Sequence, residues 1–133
     1  MTADPGGPVP NSSLPRESSL SDCLFCRVAR GEIPARIVYE TELLLAFEDI
    51  HPQAPQHILL IPRAHIPSVA HLGEGEGRVA GELLLAAGEV ARRTGLEARG
   101  YRVVANVGEE GGQTVPHLHL HLLGGRPMSW PPG

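Results

Sequence analysis

His117-Leu118-His119-Leu120-His121-Leu122-Leu123, near the end of the chain, alternates three histidines with leucines. In extended backbone successive side chains point to opposite faces, so the leucines are sent into a core and the three imidazoles share the other face. Same-face neighbours on one strand stand roughly 6.5 to 7 Å apart, within reach of one small group such as a phosphate, or of one metal ion. A solvated strand face does not call for such a concentration of imidazoles. The chemistry of the chain is expected here.

Working outward, Tyr101 to Val107 reads as a strand, Gly108 to Gly112 as a turn, and Val115 to Leu123 as the histidine strand, the two strands forming a hairpin. That pairing sets Asn106 and Gly111-Gly112-Gln113-Thr114 at the entrance to the histidine row, where backbone N–H groups and a hydroxyl can meet anionic oxygens. Upstream, Arg36 to Glu40 and Leu43 to Glu48 read as a second hairpin, and Gln56 to Ile61 as a fifth strand after Pro52 and Pro55. A short helix is expected over Cys23 to Arg30, capped by Ser21 or Asp22 and stopped by Gly31. Arg78 to Thr94 carries Val79, Leu83, Ala86, Ala87 and Val90 at helical period and closes at Gly95. The segment from Pro62 to Gly77 reads as mostly irregular. Connections too short for parallel crossovers, with one long helix and one short, predict an α+β domain built on a five-stranded antiparallel sheet.

The 133 residues are enough for one domain and too few for two ordinary ones. Eleven basic against fifteen acidic residues give a formal charge of -4, and no Lys/Arg run tracks a nucleic-acid backbone, which argues against nonspecific DNA or RNA binding. No apolar stretch approaches the roughly 20 residues that cross a bilayer, so a soluble protein without membrane partners is expected. Residues 1–20, rich in Pro, Gly and Ser, are expected to form a mobile, disordered tail. They lack a secretory apolar region and carry Asp4 and Glu17 against Arg16 alone, which points to a cytoplasmic protein. Cys23-x-x-Cys26 then belongs to a reducing compartment rather than to a structural disulfide.

The triad does not stand alone. Phe47-Glu48-Asp49-Ile50, Pro52-Gln53-Ala54-Pro55-Gln56-His57, Ile61-Pro62-Arg63-Ala64-His65, Asn106, Gly112-Gln113-Thr114 and the ending Gly124-Gly125-Arg126-Pro127-Met128-Ser129-Trp130-Pro131-Pro132-Gly133 accompany it. Together these residues resemble the histidine triad (HIT) superfamily, and within it the Hint branch, over a domain at 21–133. The resemblance implies a purine nucleoside phosphoramidase, cleaving the P–N bond of adenosine or guanosine 5'-phosphoramidates. It also implies a homodimer whose sheets join across the interface, each C-terminal segment reaching the partner's site. The transferase branch has glutamine where this chain has His121, which favours the hydrolases.

By the same resemblance, His119 is the nucleophile that forms a nucleotidyl-histidine intermediate, and neutral imidazole near its pKa suits that task. His117 orients it through its backbone, His121 and His57 surround the phosphate and leaving atom, and Thr114, where serine is more usual, assists the leaving group. Asp49 holds the ribose hydroxyls as a two-oxygen acceptor. Leu24, Phe25, Val28, Phe47 and Ile50 wall the purine; Asn106, Gly112, Gln113 and Thr114 complete the nucleotide site, and Trp130 lies near the partner's. Pro116 replaces a common aromatic.

A subset of the superfamily holds structural zinc, and the matching ligands are Cys23, Cys26, His65 and His117, a two-sulfur, two-nitrogen set suited to tetrahedral Zn²⁺. No cofactor is then required for catalysis. Two other functions remain open on the sequence: a hydrolase whose His117, His119 and His121 ligate a catalytic metal, and a nucleotide-binding protein without turnover.

Overall fold

The computed structural model describes residues 23–133, so the N-terminal tail and the Ser21 and Asp22 caps lie outside the described residues. Helix α1 (Leu24–Ala29) is followed by β1 (Ile37–Glu40), β2 (Leu44–Glu48), β3 (Gln56–Pro62), helix α2 (Gly77–Arg93), β4 (Tyr101–Val104) and β5 (Leu120–Gly124). The strands form one sheet in the order β1-β2-β3-β5-β4, every neighbouring pair antiparallel. The predicted α+β architecture is present.

Period-two alternation divides the core between the two faces of the sheet. Leu44, Ala46, Ile58, Leu60 and Leu122 face α2, which buries Leu83, Ala86, Ala87, Val90 and Ala91 against them. Leu45, Phe47, Leu59 and Ile61 face the other way and receive Phe25, Val28 and both cysteines of α1. Residues 57 and 121 fall on this second face with Leu59, and the register that pairs Leu59 with His121 makes His57 its diagonal neighbour. No helix among the described residues is long and apolar enough to cross a membrane.

Both helices end where glycine was expected. Gly31 and Gly95 take positive φ, +78° and +79°. After each, the next N–H reaches back a full turn, Glu32 to Arg27 oxygen at 2.9 Å and Leu96 to Ala91 oxygen at 2.8 Å, the Schellman arrangement that satisfies the last carbonyls.

Three local expectations are corrected. Helix α1 is capped by Cys23, whose Sγ accepts the Cys26 N–H at 3.3 Å, not by Ser21 or Asp22. The segment 62–77 is mostly irregular as expected, with two short 3₁₀ turns, Val69–His71 and Glu74–Glu76. Strand β4 stops at Val104 rather than Val107, and the histidine strand begins at Leu120 rather than Val115. The last follows from the pairing: β3 runs on through Ile61 to Pro62 bonded to β2, but its ladder with β5 begins only at Leu60 and Leu120. Leu118 N–H donates to Ile66 oxygen in the loop beyond, and Pro62 oxygen accepts from His117 Nε2–H. Alternation survives this loss of pairing, because Leu118, Leu120 and Leu122 all enter the α2-side core.

Candidate active site and metal centre

His121 is the one triad member within a strand, yet His119 lies ring to ring with it, centroids 4.9 Å apart. The pKa values of all three triad imidazoles are lowered by burial, those of His117 and His121 to about 4. Neutral imidazoles have definite tautomers, and here the hydrogen-bond partners set them. His119 Nδ1–H donates to the main-chain oxygen of His117 at 2.7 Å, which leaves the lone pair on Nε2. Phe25 stands edge-on to that ring at 5.1 Å and to Phe47 at 5.6 Å.

A second chain of bonds fixes His121. The Gln53 N–H donates to His57 Nδ1 at 3.0 Å, so His57 carries its proton on Nε2. That N–H faces His121 Nδ1 at 2.9 Å and Asp49 Oδ2 at 3.4 Å. His121 therefore accepts at Nδ1 and keeps a free N–H on Nε2. Asp49 takes the His51 N–H on its other oxygen at 2.8 Å and retains acceptor capacity on both. The result is one lone pair, one N–H donor and one carboxylate gathered beside an aromatic wall.

His117 does something different. Its Nε2–H donates to Pro62 oxygen at 2.9 Å, and its Nδ1 faces Cys23 Sγ at 3.3 Å and Cys26 Sγ at 3.6 Å. His65 Nδ1 lies 3.2 Å from Cys26 Sγ. The four ligand atoms fall within 4.8 Å of one another. Tetrahedral Zn²⁺ with its usual bond lengths has S···N edges of about 3.5 Å, so this set fits zinc. Burial and the neighbouring Cys23 push the Cys26 thiol up to about 12; a bound cation reverses that by stabilising thiolate.

Asp49, His57 and His121 form another close group, but a metal on His57 Nε2 would force the ring proton to Nδ1, against the Gln53 N–H. No group among the described residues unites all three triad histidines, as a triad-ligated catalytic metal requires.

The other expected site residues divide. Val28 is buried in the α1-side core, whereas Leu24 is half-exposed, and Ile50 and Trp130 are 86% and 81% exposed. Asn106 is partly exposed, and Thr114 and Pro116 are exposed. Gly112 and Gln113 N–H groups are consumed by the turn, donating to Glu109 and Gly108 oxygens. The Gln113 side chain clasps the loop as well, accepting from Gly108 N–H and donating to Pro67 and Val115 oxygens. These groups are therefore not free donors; the N–H groups of Thr114 and Val115 have no partner among the described residues. Sequence reasoning missed the Gln53 N–H and Pro62 carbonyl, main-chain groups that leave no side-chain signature.

A HIT domain family model matches residues 30–128. An uncharacterized HIT-like protein of Synechocystis sp. is 53% identical over 112 residues, which cover 84% of this chain and 97% of the relative. A 14 kDa zinc-binding protein of Zea mays is 50% identical over 115 residues, 85% and 89% of the two chains. The crystal structure of a HIT family hydrolase from Legionella pneumophila superposes with a TM-score of 0.83 at 50% identity, covering 84% of this chain and all of that one.

Proposed function

The chain belongs to the HIT domain family, and from that premise we propose that it is a hydrolase of purine nucleoside 5'-phosphoramidates acting through a nucleotidyl-His119 intermediate. The observation that carries the reading is the His119 Nδ1–H···O bond to His117, which commits the Nε2 lone pair to the substrate side. That lone pair attacks the α-phosphorus and the P–N bond breaks. The imidazolium so formed keeps its Nδ1–H on the His117 carbonyl, which stabilises the new charge. His121 Nε2–H donates to a phosphoryl oxygen, together with the free N–H groups of Thr114 and Val115. The Thr114 hydroxyl, exposed to water, hands its proton to the departing nitrogen and recovers one from solvent. Water then attacks the same phosphorus, returning a proton to solvent, and His119 leaves as neutral imidazole, releasing nucleoside monophosphate.

Asp49 accepts the ribose hydroxyls, and Phe25 with Phe47 walls the purine. In a homodimer, the exposed Leu24, Ile50 and Trp130 acquire a purpose at and beside the partner's site. Zn²⁺ in the Cys23–Cys26–His65–His117 set supplies structural cross-linking, a reading supported by the ligand spacing and by the zinc-binding relative. A cytoplasmic location fits reduced ligand cysteines.

Incubation with adenosine 5'-phosphoramidate tests the activity: AMP and amine are expected in equal amounts, and His119→Gly abolishes both. Unchanged turnover in that variant, or complete dependence on added metal in a folded protein, contradicts the nucleophile assignment.

A further inference from the structure

The cysteine–histidine centre and the nucleophile share a residue and an aromatic ring. His117 presents Nδ1 to both sulfurs, while its main-chain oxygen receives the His119 Nδ1–H at 2.7 Å. Phe25 lies between the two cysteines on α1 and stands edge-on to both imidazoles, 5.9 Å from His117 and 5.1 Å from His119. Cys23, Cys26, Phe25, His117 and His119 are all buried, so a shift in one has no solvent gap to absorb it. Thiol–imidazole contacts hold this cluster weakly compared with metal–ligand bonds.

We infer that His117 and α1, when an ion is held by Cys23, Cys26, His65 and His117, act as a positioning device for the nucleophile: through the His117 carbonyl and the Phe25 ring they fix the tautomer and plane of His119. No phosphoryl-transfer step passes through the ion. The kinetic arm of the test rests on the phosphoramidase reading, whereas the spectroscopic arm does not.

The His119 Nδ1–H resonance and imidazole ¹⁵N shifts are compared by NMR in Zn²⁺-loaded and Zn²⁺-free protein, and in His65→Gln. His65 contacts the centre but not His119, so the variant loosens the device from its far side. Faster exchange of that proton and broadened His119 signals are expected without Zn²⁺ and in the variant. Nucleotidyl-His119 formation should slow by about 10-fold with KM unchanged.

Identical exchange, ¹⁵N shifts and adduct rates in loaded and Zn²⁺-free protein overturn the inference. Should the Zn²⁺-free chain unfold, Cd²⁺ substitution decides: its longer bonds to sulfur must move the His119 resonances, and unmoved resonances overturn the coupling. If no adduct forms under any loading, the phosphoramidase reading fails while the NMR comparison still judges the positioning device.

Discussion

His57 Nε2–H is the donor that leaves His121 with its own N–H free. His57→Phe removes it while keeping an aromatic ring in place, and kcat should fall about 10²-fold with little change in KM. Steady-state kinetics decides; an equal rise in KM with constant kcat would make His57 a binding residue only. The acid response follows from burial. His117 and His121 titrate at about 4 in the folded chain, against about 6.5 for histidine in an unfolded one. The unfolded chain binds more protons between these values, so the stabilisation is complete above about pH 6.5 and is lost as pH falls toward about 4. For buried His117 the loss is on the order of 2–3 kcal/mol. Thermal melts of Zn²⁺-free protein should therefore show Tm falling across that window, and a flat Tm contradicts buried neutral imidazoles.

Gly95 ends α2 at φ +79°, a backbone region costly for any residue with a Cβ. Gly95→Ala should destabilise the fold by about 1 kcal/mol, lowering Tm by about 3–5 °C; an unchanged Tm contradicts the left-handed stop. Elements of this kind were legible because their signals are local: Gly31 and Gly95 after apolar periods, and Val90 and Leu83 at helical spacing. Strand ends were not. Where β5 begins is decided by its pairing with Leu60 of β3, dozens of positions away in sequence. The same limit hid the loop's use of the Gly112 and Gln113 N–H groups, since a donor spent on Gly108 or Glu109 oxygen looks no different in sequence from a free one.

For the molecule as a whole, the sheet leaves β4 as an open edge with Tyr101 and Val103 partly exposed, while α2 exposes Leu84 and Leu85 and the C-terminal segment exposes Trp130. Unpaired strand edges and exposed large apolar side chains mark association surfaces, and a second copy of the chain is the proposed occupant. Sedimentation should show a dimer, weakened by Leu85→Lys; a monomer at all accessible concentrations contradicts it. The triad's alternation predicted three imidazoles on one face and the resemblance gave them separate roles; the fold sets His117 against the cysteines and leaves His119 and His121 together. The central claim is that His119 becomes covalently nucleotidylated. Mass spectrometry of protein quenched without acid during turnover of adenosine 5'-phosphoramidate tests it: an adenylyl group on His119 is predicted, and amine release with no adduct there, or with the adduct on another residue, would contradict it.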